Sequence, residues 1–167
     1  MTGWVRIEIL GPAHDRSSFT CGVVALDSYL RERVTQDVRR RMAACFVAAS
    51  GRQIIGFYTL SAAAIPISDL PPDTARRLPR YPTVPATRLG RLAVASEAAG
   101  QGFGGALLAD AVRRALDAEI ASFAMIVDAK DEPAAAFYRH HGFIAFGAPG
   151  LRLFLPLATA RAARDGT

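Results

Sequence analysis

The stretch from Arg88 to Leu116, RLGRLAVASEAAGQGFGGALLADAVRRAL, limits the fold more than any other part of the chain. An apolar, strand-like run from Leu89 to Val94 enters a loop of small residues. Gly100, Gly102, Gly104 and Gly105 then lead into a segment whose apolar residues recur at helical spacing. Glycines have no Cβ to block approach, so a ligand can lie directly on the backbone N–H groups, and the helix that follows adds a partial positive charge suited to phosphate. The ligand inferred from this stretch is the pyrophosphate of a nucleotide-like cofactor. Two other nucleotide motifs are excluded. A P-loop would need Lys-Ser/Thr after the glycines, and the whole chain has a single lysine. The dinucleotide fingerprint needs its glycines after a first strand with an acidic residue about 20 positions on, whereas these fall late and in a G-x-G-x-G-G spacing.

Taken from its start, the chain reads as one domain of 167 residues, with 51% apolar and 21% charged residues, as in an ordinary soluble protein. It has no 18-residue apolar run and no signal-peptide pattern in residues 1–10, so the expectation is a cytoplasmic protein without membrane attachment. Cys21 and Cys45 match no metal-ligand spacing and read as small buried hydrophobes in a reducing compartment.

Val5 to Leu10 alternates as a first strand, and a helix follows from about Val24 to Arg40 with Leu26, Tyr29, Leu30, Val34 and Val38 on one stripe. Ala43–Ala49 and Gln53–Ile65 read as a hairpin. Residues 66–87 hold six prolines and read as an insertion over the surface with one helical turn near Asp73–Arg77. The strand Thr83–Ala95, the glycine loop and a helix from Gly104 to Glu119 come next. Phe123–Ala129 reads as a buried strand and Glu132–His141 as a helix with Pro133 in its first turn and Gly142 at its C-cap. Phe143–Phe146 and Leu151–Leu157 finish the sheet, and 158–167 reads as a frayed helical tail. The expected fold is α/β, a mixed central sheet flanked by helices on both faces, with the cofactor loop where the fourth strand meets its helix.

The net charge is +5, nearly all of the positive side being arginine, whose planar fork suits phosphate. Six arginines against two acids lie between Arg31 and Arg52, and five with no acid between Arg76 and Arg91. Two such clusters beside a cofactor loop point to a polyanionic substrate.

Ala99-Gly100-Gln101-Gly102-Phe103-Gly104 resembles the acyl-CoA motif Gln/Arg-x-x-Gly-x-Gly/Ala of the GNAT N-acetyltransferases, with Ala99 where Gln or Arg is usual; Asp128–Phe143, DAKDEPAAAFYRHHGF, resembles the second half of the same site. The resemblance implies acetyl-CoA as cofactor. The main chain of Leu92, Ala93 and Val94 would hold the pantetheine arm, the segment Ala99, Gly100, Gln101, Gly102, Phe103, Gly104 and Gly105 the diphosphate, and Asp128 and Phe137 would complete the cofactor site. Tyr138 would be the general acid for the departing thiolate. The plain structural reading of Phe137, Tyr138 and Phe143 is an aromatic cluster, and that of His140 and His141 a pair of surface histidines at a helix C-terminus. Glu97 precedes the loop and Asp128 ends a strand, the latter better placed to touch substrate or cofactor, and neither stands out as a base, which suits an amine of low pKa such as an α-amino group.

The segments FTCGVVALDSYLRERVTQDVRRRMAACFVA, GFYTLSAAAIPISDLP, RLPRYPTVPATRLGRLAVA and VDAKDEPAAAFYRHHGF together look like the GNAT toxins of bacterial toxin-antitoxin pairs, the TacT and AtaT type. Ala95 departs from this pattern, standing where an Asp often follows. The likeness implies a single GNAT-like domain over 1–157, followed by the tail 158–167. It also implies acetylation of the α-amine of aminoacyl-tRNA with a block of translation, a ribbon-helix-helix antitoxin, operator DNA bound only through the antitoxin complex, and a homodimer. Arg39, Arg40, Arg41, Arg76, Arg77 and Arg80 are then the expected tRNA contacts. The alternative activity is acetylation of protein N-termini or small-molecule amines, and an alternative of another class is a cofactor-binding regulatory module without catalysis.

Overall fold

The structure, a computed structural model, describes residues 4–147 and 151–166; Leu151 onward resumes after the gap, and Thr167 at the end of the expected tail lies outside the described residues. Seven strands form one sheet in the order β1-β2-β3-β4-β5-β7-β6. They are β1 (Arg6–Ile9), β2 (Ala44–Ser50), β3 (Gln53–Pro66), β4 (Thr83–Val94), β5 (Ala124–Asp128), β6 (Ile144–Phe146) and β7 (Arg152–Pro156). The helices are α1 (Val24–Ser28), α2 (Val34–Arg39), α3 (Pro72–Arg76), α4 (Phe103–Asp117), α5 (Glu132–His140) and α6 (Leu157–Arg164). Two compact units share this chain: the first takes residues up to Ser61 with Leu89–Ala111, the second Ala62–Arg88 with Val112 onward.

In the first unit, β1, β2 and β3 pair antiparallel, Phe46 opposite Tyr58 and Val47 opposite Phe57. Successive strand residues face opposite ways, so this register sorts the core. On one face Phe57 receives Phe19 edge-on and Tyr29 in a stack. On the other face Phe46 stacks on Tyr58, whose hydroxyl donates to Asp110 of α4 at 2.5 Å. Gly56 lies under that helix. A Cβ there would stand 2.7 Å from the Ala93 carbonyl oxygen and 2.8 Å from a Leu107 methyl, so the absence of a side chain is what lets β4 and α4 close on β3.

The single helix expected over Val24–Arg40 is α1 and α2 joined by a π-turn, Tyr29–Arg33. The wider turn brings Tyr29, Leu30 and Val34 inward together, while Val38, expected on the same stripe, is exposed. Asp27 is buried instead, accepting from the Cys21 N–H at 2.9 Å and the Thr20 hydroxyl at 3.2 Å.

The second unit is built round Ile65, Leu70, Val84, Ala86, Ala124, Ile126, Phe146 and Phe154. The proline-rich insertion lies only partly on the surface. Leu70 is in this core and Ile67 and Leu78 pack against it, while Arg76, Arg77 and Arg80 stay exposed. Helix α5 starts as expected, Asp131 capping it by accepting from the Ala134 N–H at 2.9 Å, and ends at Gly142 with φ +94°. The tail is not frayed over Leu157–Arg164. Those residues form α6, whose Leu157 is buried, while Arg161 donates to the Leu116 carbonyl and Arg164 pairs with Asp117. No helix among the described residues is long and apolar enough to cross a membrane.

Candidate functional site

Strand β4 ends at Val94, and the chain turns through a short 3-10 segment, Ser96–Ala98, before the glycines. The turn is tied down by two main-chain bonds, Ala95 N–H to the Ile55 carbonyl at 2.7 Å and Ser96 N–H to the Thr20 carbonyl at 2.9 Å. Gly100 and Gly102 have φ of +78° and +87°, and the space in front of both is open. Only glycine adopts such angles without strain, and two of them two residues apart expose the intervening backbone. Helix α4 begins at Phe103, so the amides of Phe103, Gly104 and Gly105 fall in its first turn, where backbone N–H groups have no partner within the helix. No acidic side chain occupies that turn. Its partial positive charge is therefore left for a ligand of negative charge. Ala99 is extended and Gln101 exposed, while Phe103 is half-buried. Of the β4 residues, Ala93 is buried, and Leu92 and Val94 are half-buried.

In the second unit Tyr138 is 7% exposed, its ring set against Phe137 at 5.2 Å and Phe143 at 5.5 Å between centroids. It is thus part of an aromatic cluster. Yet among the described residues no group hydrogen-bonds its hydroxyl, and no side-chain oxygen or nitrogen there is wholly enclosed without a partner, so the hydroxyl opens to solvent. Burial alone pushes its pKa up to about 12, which keeps the phenol protonated at neutral pH. Phe137 also meets His141 at 4.8 Å, and burial followed by the neighbouring His140 lowers the His141 pKa.

The two carboxylates singled out in the sequence are both engaged. Glu97 accepts from the Gln53 amide at 2.8 Å. Asp128 accepts from Arg88 at 2.6 Å and lies 3.9 Å from Arg152, which also reaches Asp69 of the insertion at 3.4 Å.

The arginines divide by their partners. Arg39, Arg40 and Arg41 are exposed at the C-terminal end of α2 with no carboxylate paired to them among the described residues, and Arg77 and Arg80 are the same in the insertion. Arg76 is ion-paired to Asp73, which offsets its charge. Arg113, Arg139, Arg152 and Arg164 are likewise paired to acids. Arg41 has φ +59°, the only described non-glycine residue with positive φ, and its N–H bonds the Val38 carbonyl at 3.1 Å.

Sequence reading counted Arg91 only within a cluster. In the structure its guanidinium lies 3.6 Å over the ring of Tyr29, whose hydroxyl donates to Asp37 at 2.8 Å. The available signal was an arginine inside the apolar strand RLAV. Cys45 is 1% exposed, and burial pushes its thiol up to about 12; Cys21 is half-buried, and neither cysteine is in a disulfide.

Residues 41–145 match the family model described as acetyltransferase (GNAT) domain. The chain is similar to a tRNA-acetylating toxin of Mycobacterium tuberculosis (strain ATCC 25618 / H37Rv), 34% identical over 164 residues, 97% of this chain and 98% of the relative. A solved structure of AtaT complexed with acetyl-methionyl-tRNAfMet is similar with a TM-score of 0.88 at 28% identity, over 96% of this chain and 99% of that one. A second, an AtaT Tyr-to-Phe mutant bound to the C-terminus of the antitoxin AtaR and acetyl-CoA, has a TM-score of 0.80 at 26% identity, over 96% and 98% of the chains. With a glycine loop of open amides between a strand and a helix, and a family match over most of its length, this chain belongs to the GNAT acetyltransferases.

Proposed function

We propose that this protein transfers an acetyl group from acetyl-CoA to the α-amine of aminoacyl-tRNA and so stops translation, as a toxin held in check by an antitoxin. The observation that carries this reading is likeness along almost the whole chain, both to a tRNA-acetylating toxin and to a toxin structure complexed with acetyl-methionyl-tRNAfMet. The finer parts of the proposal are a cytoplasmic homodimer, a ribbon-helix-helix antitoxin, and repression of the operon by the antitoxin complex on operator DNA. A single catalytic domain over 1–157 is proposed in the same sense.

The residues present fit the cofactor, because the loop offers open backbone at Gly100 and Gly102 and an acid-free helix start. The bound cofactor supplies the acetyl thioester. The amides from Gly100 to Gly105 would bind its diphosphate, with Ala99 and Gln101 completing the loop, and the main chain of Leu92, Ala93 and Val94 would orient the acyl arm. The Tyr138 phenol would give its proton to the sulfur that leaves as a C–N bond replaces the C–S bond, and would regain one from solvent as the substrate nitrogen sheds its own. Phe137 packs beside Tyr138 and helps hold the ring. Asp128, held by Arg88, supports the second half of the site rather than removing a proton. Arg39, Arg40, Arg41, Arg77 and Arg80 supply a phosphate footprint, with Arg76 contributing less because Asp73 offsets it.

The test is mass spectrometry of total aminoacyl-tRNA after incubation with labelled acetyl-CoA, with Tyr138→Phe alongside. Label on the α-amine of one or a few aminoacyl-tRNAs, much reduced in the variant, is expected. No label on RNA, with transfer to a peptide or polyamine, would replace the reading by that of an acetyltransferase of protein N-termini or small amines.

A further inference from the structure

Arg91 differs from every other arginine in the first unit. It lies in β4, one residue before the Leu92–Val94 segment to which the acyl arm is assigned above, and it is half-buried. Its guanidinium carbon stands 3.6 Å over an aromatic ring rather than beside a carboxylate, and among the described residues no protein group takes a hydrogen bond from it. A half-buried guanidinium ordinarily spends its five N–H groups on carboxylates or carbonyls. Here the group rests over Tyr29, and its N–H groups have no hydrogen-bond partner among the described residues.

The support beneath it is built in depth. Tyr29 is stacked on Phe57 at an interplanar angle of 13° and its hydroxyl is fixed to Asp37. A carboxylate accepting from the phenol enriches the ring in electron density, which strengthens its hold on a cation. Tyr29 also opens the π-turn Tyr29–Arg33, an irregularity that sets the ring against the sheet and places Asp37 within reach of its hydroxyl. Burial, then the bond to Asp37, drive the Tyr29 pKa upward, so the ring stays a neutral phenol and never competes with an external anion for the guanidinium. Arg16, half-buried as well, acts with Arg91 to draw down the pKa of the Cys45 thiol, which burial nevertheless raises, so a second positive charge acts on that thiol.

A planar, pre-positioned guanidinium with N–H groups to spare is the group that grips a phosphate through two parallel hydrogen bonds. In an aminoacyl-tRNA the amino acid that carries the reacting amine is esterified through its carboxyl to the terminal ribose, and the nearest anion is the phosphodiester on that nucleotide. We infer that Arg91, braced by Tyr29 and Asp37, binds the phosphodiester at the aminoacylated 3′ end of the tRNA and so sets the amine relative to the acyl arm. This rests on the proposed activity. It assigns to Arg91 a positioning task distinct from the exposed arginines of α2 and the insertion, which would grip RNA further from the acceptor end.

The experiment compares the affinity of intact tRNA with that of tRNA lacking its terminal CCA, for the full-length protein, Arg91→Gln and Arg91→Lys, over a range of salt. Acetyl-CoA affinity and thermal midpoint are read for all three. For intact tRNA, Arg91→Gln is expected to bind about tenfold more weakly, as for loss of a charge-assisted contact, and to lower the salt slope by about 0.7, the value for one phosphate on a single strand. For the truncated tRNA the two proteins should bind alike. Arg91→Lys should restore part of the affinity and no more, because an ammonium keeps the charge but not the paired geometry. An equal loss on both tRNAs would put the contact elsewhere on the RNA. Unchanged affinity for intact tRNA, or a loss that follows the thermal midpoint, would make Arg91 a brace of the fold; either outcome overturns the inference. Should the unaltered protein fail to acetylate aminoacyl-tRNA, the proposed activity falls and this assignment with it. If it acetylates and prefers the intact 3′ end while Arg91→Gln changes nothing, only the assignment falls.

Discussion

Tyr138 combines two properties that pull apart in most buried tyrosines. Its ring is packed, yet its hydroxyl makes no bond to the described protein. Removing that oxygen should therefore leave the fold almost untouched. For Tyr138→Phe we expect a thermal midpoint corresponding to a stability change within about 0.5 kcal/mol, unchanged acetyl-CoA affinity, and a kcat lower by roughly 10²-fold or more. A fall in stability instead of kcat would make it a packing residue. With its pKa pushed up to about 12, the phenol does not titrate in the neutral range. The rate should then rise with pH as the substrate amine loses its proton, near 8 for an α-amine, and level off with no alkaline fall below about pH 10. Asp128 offers a companion test. Sequence placed it near the cofactor, and its pairing with Arg88 and Arg152 occurs between side chains that remain substantially exposed. Asp128→Asn should cost less than about 1 kcal/mol and leave the pH profile unshifted, whereas loss of the acidic limb of that profile would make it the base. Neither pairing was legible in the sequence, since Arg88, Asp128 and Arg152 are brought together only by strand order.

Elements whose identity follows from local chemistry were readable. The β2–β3 hairpin is marked by two strand-like runs joined at Ser50-Gly51, and α5 by Pro133 and Gly142 at its ends. The glycine loop could be placed between β4 and α4 because positive φ and open space have few sequence solutions. What escaped was set by contacts distant in sequence. The π-turn in the first helix has no local signature and follows from fitting Tyr29 against Phe57 and Asp37 together. The insertion looked wholly superficial because its prolines hide the few anchors, Ile67, Leu70 and Leu78, that it gives to the second unit's core. Gly56 is another such case, ordinary in sequence but in contact with both β4 and α4. The clash distances at Ala93 and Leu107 lead us to expect Gly56→Ala to destabilise by about 1–3 kcal/mol, read from the denaturant midpoint. Because the displaced atoms belong to the strand and helix flanking the glycine loop, acetyl-CoA affinity should fall in the same variant. A Gly56→Ala protein of unchanged midpoint would mean that β4 and α4 can part without penalty.

Two compact units divide the groups whose protons are tied to folding. Cys45 and Tyr29 lie in the first and Tyr138 in the second, and burial is the leading cause of the raised pKa in each. The thiol and the Tyr138 phenol ordinarily titrate near 9.0 and 10.0 but only at about 12 in the fold. Between those limits the unfolded chain releases protons that the folded chain retains, so stability falls as pH rises. Each group contributes up to about 1.4 kcal/mol per pH unit across its window, with no effect at neutral pH. Denaturant unfolding followed from pH 7 to 11 should thus be flat to about pH 9 and then decline, first through Cys45 and, above pH 10, through the tyrosines as well. Cys45→Ala should delay the onset of the decline by removing its earliest contributor, at some cost in packing at neutral pH. If the two units unfold in separate steps, the step belonging to the first should start its decline at lower pH, because only that unit holds a buried thiol. Thiol labelling under native conditions checks the same assignment independently: Cys21, half-buried, should react well before Cys45, whose modification should keep pace with unfolding. Rapid native labelling of Cys45, or a pH-independent midpoint up to pH 11, would mean that the thiol is not sealed in the core.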